Sequence, residues 1–254
     1  MQRLKYILSI IATLLLSTSA MAQLTVMISG GFSGPYQKML PQFEKASGVT
    51  VTTLSGASQG SGPKTIKAQL DKGASVDVVI LSREGLAELM TAGKIIPGTD
   101  VDLATAPLGA AIPTGAVKPK ISTVAELKQS LIDTKLIVVP GSTSGIYLVD
   151  ELFPRLGLTN LISVKVTERG KEATTMLAAK EVGMAIQPTS ELVNVAGIDY
   201  IGRLPKEVQL IQTFSAAIVT GSKETKSAQQ LIQLLTSQQA TQAIQNSGMD
   251  LIQR

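Results

Sequence analysis

Short apolar stretches, Gly/Ser-rich turns and amphipathic helical stretches alternate along almost the whole chain, and no other feature narrows its fold as far. Residues 24–28 read as a strand, Gly30, Gly31, Gly34 and Pro35 punctuate it, and Tyr36, Met39, Leu40 and Phe43 recur at helical spacing until Gly48. The unit then repeats. Residues 49–54 alternate like a strand, 55–63 form a Gly/Ser loop, and Ile66 and Leu70 mark a helix ending near Gly73. Residues 76–81 read as a fully buried strand, followed by a helix carrying Leu86, Leu89 and Met90 and closed by Gly93.

The second half has the same rhythm: a strand at 136–139, a loop at 140–145 and a helix from Ile146 to near Gly157. Strands at 162–166, 182–186 and 216–219 follow, with a helix around 175–179 and two closing helices at 225–235 and 238–246. Such alternation calls for an α/β fold, with a parallel sheet covered by helices on both faces.

The first 22 residues stand apart. Arg3 and Lys5 precede an apolar run at 7–16, and Ala20, Met21 and Ala22 supply a small-x-small cleavage pattern, which together read as a secretory signal peptide. The run is too short for a permanent span, which needs about 20 apolar residues. No cysteine follows the cleavage point to carry a lipid anchor, so the expected product is an exported, unanchored, monomeric protein of the periplasm.

Composition removes whole classes of chemistry. The chain has no Cys and no His, which excludes disulfides, Ser-His and Cys-His catalysis and the usual zinc, copper and haem ligands. No metal or cofactor is expected, and any catalysis has to rest on carboxylate, Lys or Tyr. Once Arg3 and Lys5 leave with the leader, the positive excess is only two charges, with no basic run and no Trp. That argues against nucleic acid, and the scarcity of aromatics argues equally against sugars and quaternary amines. A small anion fits better.

Three loops share a property that suits an anion. Around Ser29, Gly30, Gly31 and Ser33, around Ser58, Ser61, Lys64 and Thr65, and at Ser144 and Gly145, Gly and Ser stand between a strand end and a helix start. Backbone N–H groups and the positive helix end point outward there. Caps and turns alone also account for such residues in any single loop.

Segments 24–33, 66–80 and 237–249, in that order and spacing, resemble the periplasmic molybdate-binding-protein family. The resemblance covers essentially the mature chain. It implies a two-lobed type 2 periplasmic-binding-protein fold with a ligand cleft between the lobes, delivering an oxyanion to the permease of an ABC importer. The lobes would be 23–104 with 221–254, and 105–220, linked near 104–107 and 219–221. The family's first-loop serine falls nearest Gly31, between Ser29 and Ser33, and its second-loop serine among Ser58, Ser61 and Gly62. Its second-lobe main-chain donor corresponds to the Ser144 and Gly145 turn before Tyr147, and Gln187 replaces its ligand-facing tyrosine.

These departures, with Lys64 at a helix start where the dipole disfavours a cation, turn the expectation toward an organic carboxylate over molybdate. Arg169 is a second cationic candidate. The resulting reading is capture of a small anion without turnover. An exported hydrolase using Glu191 or Asp77, or a sensory protein of the same fold, is the alternative, although helix-starting roles explain both carboxylates more simply.

Overall fold

The computed structural model describes residues 23–253, so the leader and its cleavage point lie outside the described residues. The first elements are β1 (Gln23–Ile28), α1 (Ser33–Ser47), β2 (Thr50–Ser55), α2 (Ile66–Asp71), β3 (Val78–Ser82) and α3 (Arg83–Thr91). Next come β4 (Val101–Pro113), α4 (Val124–Thr134), β5 (Leu136–Pro140), α5 (Thr143–Ile146) and α6 (Phe153–Arg155), the last two joined by π-wound Tyr147–Leu152. The chain continues through β6 (Ser163–Thr167), α7 (Gly170–Ala178), β7 (Met184–Pro188), β8 (Ile198–Arg203) and β9 (Ile211–Ile218). It closes with α8 (Thr225–Leu235), α9 (Thr241–Asn246) and β10 (Asp250–Leu251).

Two α/β/α lobes result. In the first, β1 lies parallel between β2 and β3, and β9 pairs antiparallel with β3. In the second, β5 lies parallel between β6 and β7. The long β4 belongs to both: residues 101–107 pair with β9, and residues 108–113 pair with β7 and β8.

Alternation along the strands sends side chains to opposite faces. Leu24, Val26, Ile28, Val78 and Ile80 pack with Tyr36, Phe43, Leu231, Leu235 and Ile244, while Met27, Val79 and Leu81 pack with Ile66, Leu70, Leu86 and Leu89. The second lobe divides likewise, with Ile137, Val139, Met184 and Ile186 facing Leu127, Leu131, Leu148 and Leu152, and Val138 and Ala185 facing Ala173 and Leu177. Each Val, Leu, Ile, Phe or Met among them, fully buried, contributes about 1.5–3 kcal/mol. Gly48 ends α1 in the left-handed region at φ 69°, and the Thr123 and Glu126 capping box starts α4.

The outward passage between lobes lies at Pro107, where β4 changes partners. The return does not lie at 219–221. It is made at 209–211, because β9 is already hydrogen-bonded to β3 from Phe214 to Ile218. Gln209 fixes this passage: its Oε1 accepts from Leu108 N at 2.6 Å, and its Nε2 donates to Leu108 O and Leu204 O, each at 3.1 Å. The C-terminal ends of β1, β2, β5 and β7 therefore carry their loops toward a common space between the lobes, the position in which open α/β sheets hold ligands.

Candidate functional site

Those loops enclose a small cleft of about 30 Å³. The first lobe contributes Ser29, Gly30 and Gly31 after β1, Ala57 and Ser58 after β2, and Gln212 and Phe214 from β9. The second contributes Pro140, Ser142 and Ser144 after β5, Arg169 and Gly170 at the start of α7, and Pro188 and Glu191 after β7. The lobes touch around it. Thr143 Oγ1 donates to Gln59 Oε1 at 2.8 Å and lies 2.8 Å from Ser82 Oγ, and Gln59 N donates to Ser142 Oγ at 3.4 Å.

Glu191 is the one carboxylate lining this cleft among the described residues. Its side chain is wedged between the lobes: a Cβ at Gly30 would lie 1.7 Å from its Oε1, and one at Gly170 would lie 2.5 Å from the same atom. What exposure it retains is toward the cleft and the larger groove on its other side, which Ser29, Gly30, Arg169 and Gly170 also line. Loss of solvation pushes its carboxyl up to about 7, against the opposing pull of the nearby Arg169 guanidinium. Gln187, buried on β7, donates from Nε2 to Glu191 O at 3.1 Å and so pins the turn that presents the carboxyl.

Several polar atoms around Glu191 lack protein partners among the described residues. Ser29 Oγ and Gln212 Oε1 are buried and unpaired, and both residues line the cleft. Ser190 Oγ and Gln187 Oε1, beside the Glu191 turn, are unpaired too. Buried polar groups are normally hydrogen-bonded, so the orphans of Ser29 and Gln212 on one cleft wall mark a place where a polar ligand completes the set. The start of α7 adds outward N–H groups and the positive end of its dipole.

With that geometry established, residues 24–250 match the family model described as bacterial extracellular solute-binding protein. This chain is a member of that family. It is also 33% identical over 239 residues to an aconitate isomerase of a Pseudomonas species, covering 94% of this chain and 91% of that protein. Among solved structures, a periplasmic molybdate-binding protein of Azotobacter vinelandii superposes with a TM-score of 0.71 at 18% identity, over 91% of this chain and 100% of the other. A sulfate-binding protein of Mycobacterium tuberculosis gives 0.72 at 17% identity, over 91% and 87%. The fold is thus the two-lobed periplasmic-binding-protein fold. The Pseudomonas relative overturns the expectation of binding without turnover, since a protein so similar along its whole length is named as an enzyme.

In this solute-binding protein the sequence-derived candidates fall into two groups. Ser29, Gly30, Gly31, Ser58, Ser144 and Arg169 line the cleft together. Ser58 Oγ also accepts from Ser82 N at 2.9 Å. The others stand back from it. Ser33 Oγ donates to Gly30 O at 2.7 Å, Thr65 caps α2, and Gly145 is packed so closely that a Cβ would sit 1.6 Å from Pro140 O. Tyr147 donates to Val208 O at 3.0 Å inside the second lobe, and Gln187 lies behind Glu191. Ser61 and Lys64 line a separate surface hollow.

Lys64 reaches across the mouth between the lobes, with Nζ 2.5 Å from Glu168 and 3.2 Å from Glu172, and those hydrogen bonds raise its pKa. Its position suits closure of the lobes. Lys64→Ala is expected to weaken ligand affinity by a small factor that high salt erases. A titration at two salt concentrations checks this, and a loss as large as that from Arg169→Ala would assign the ammonium to the ligand itself.

Ser142, Gly170, Gln212, Phe214 and the cleft position of Glu191 went beyond the sequence-derived binding set. Ser142 lies inside a loop the sequence does single out, and Glu191 was legible as a carboxylate beyond a buried strand. Gln212 and Phe214 carry no local signal, because β9 brings them from a distant part of the chain.

Proposed function

We propose that this protein is an exported isomerase of an unsaturated polycarboxylate of the aconitate type, with Glu191 as its acid–base group. The observation that carries the reading is a lone cleft carboxyl held near neutrality, which can both accept and return a proton. The name of the Pseudomonas relative supports the choice of substrate. Asp77, the other carboxylate considered from the sequence, is engaged elsewhere, accepting from Thr25 N at 2.8 Å and Ser222 Oγ at 2.7 Å.

In such an acid a methylene flanks a carbon–carbon double bond. Ionised Glu191 removes a methylene proton, and the C–H electron pair becomes a new double bond to the central carbon. The former double-bond pair moves to the far carbon, which takes the proton back from Glu191. Atoms and charge balance, no redox partner is needed, and the geometry about the double bond is reset. Arg169 and the first turn of α7 hold one carboxylate and share the charge that develops in the intermediate. The hydroxyls of Ser29, Ser58, Ser142 and Ser144 supply donors for the others.

A leader read from the sequence at 1–22 supports a periplasmic setting for this reaction, and the same cleft suits handing a bound acid to the permease of an importer. Incubation of the purified protein with trans-aconitate, followed by chromatographic separation, is expected to yield the cis isomer, with kcat/KM rising through about pH 7 as free Glu191 ionises. Tight binding of the acid with no interconversion would contradict the proposal and leave capture for import.

A further inference from the structure

Gly30, Gly31 and Gly170 line the cleft, and none of them has a positive φ. Each is therefore present for space, not for backbone freedom. At Gly30 and Gly170 the space holds the Glu191 carboxyl, as described above. At Gly31 it holds an aromatic ring: a Cβ there would lie 1.9 Å from Phe214 Cζ, 2.3 Å from Cε1 and 2.7 Å from Cε2.

Phe214 reaches the cleft from β9, where it and Gln212, two residues apart, point to the same side. Its ring is 3% exposed and is the one aromatic lining the cleft among the described residues. The rest of the wall is shared between polar side chains and Gly, Ala and Pro. A compact tetrahedral oxyanion carries oxygen on every side, so an oxygen turned toward the ring loses water and gains no donor. An unsaturated skeleton can set a carbon edge against the part of the ring that meets the cleft while its carboxylates reach Arg169 and the serines.

We infer that Phe214, seated against Gly31, is the specificity-determining residue of the cleft and selects flat, unsaturated polycarboxylates over saturated ones and over tetrahedral oxyanions. This rests on the polycarboxylate reading above and deepens it. Calorimetry on the wild-type protein should use an equilibrium mixture of aconitate isomers, which gives no net reaction heat, alongside propane-1,2,3-tricarboxylate and sulfate. The unsaturated acid is expected to bind about threefold to tenfold more tightly than its saturated counterpart, the range one aromatic contact supplies. Phe214→Leu should bring that ratio close to one while retaining affinity for the saturated acid. If Phe214→Leu does not fold, Phe214→Met removes the ring while filling more of its volume and should have the same effect. A preference that survives loss of the ring overturns this inference alone. A wild type that binds neither tricarboxylate overturns it together with the polycarboxylate reading.

Discussion

Glu191→Gln is expected to remove isomerisation and, at pH 8, to make the protein more stable. Glu191 has its folded-state pKa raised from 4.5 to about 7, so between those values the native state holds a proton that the unfolded chain has released. Stability contributed by this group is thus full below pH 4.5 and is lost as pH rises through 7. Gln carries no such penalty. Discounted for the exposure Glu191 retains to the cleft, the gain at pH 8 is on the order of 2 kcal/mol, or about 4–8 °C in Tm for a chain of this size. At pH 4 the two proteins should melt together. Loss of the acid–base group should lower kcat by about 10²–10⁴. Thermal melts at the two pH values, with turnover at pH 8, check both halves. A variant that is less stable at pH 8 would place the carboxylate in a supporting role.

Arg169→Ala is expected to act on binding and on the pH profile together. Its guanidinium lines the cleft and pulls the Glu191 carboxyl downward. Without it, KM should rise by about tenfold to a hundredfold, the equivalent of a charged hydrogen bond of about 1.5–3 kcal/mol. The acidic limb of kcat/KM should shift to higher pH, since the remaining influence on Glu191 is desolvation, which raises its pKa. A helix-capping role alone would lower stability without moving the limb, so initial rates across pH distinguish the two.

The lobes were legible because most of their strands are short apolar runs bounded by glycine, the pattern that β1, β3, β5 and β7 all show. β4, the longest strand, was not. It contains Pro107, Gly109 and Pro113, residues that argue against a central strand, and they are tolerated because the strand changes partners at Pro107. The return crossing was misplaced for a related reason, since residues 216–219 read as a strand whichever lobe they join. Loops after strands pointed to the cleft, and five of the candidates they supplied line it together with Arg169. Lys64 has the same local signature as a ligand-binding cation, and only the placement of Glu168 and Glu172 across the mouth shows its ion pairs. For Glu191, sequence gives a carboxyl near a helix start. Its wedging between Gly30 and Gly170 depends on both lobes and is invisible locally.

The most direct measurement follows a carbon-13 label placed at the methylene carbon of trans-aconitate, read by NMR as the purified protein acts on it. A Glu191-mediated allylic shift predicts cis product in which the labelled carbon has become the vinylic one, formed by the wild type and absent with Glu191→Gln. Product in which the label still sits on a methylene, or equal conversion by the variant, would contradict the proton shift and the role assigned to Glu191.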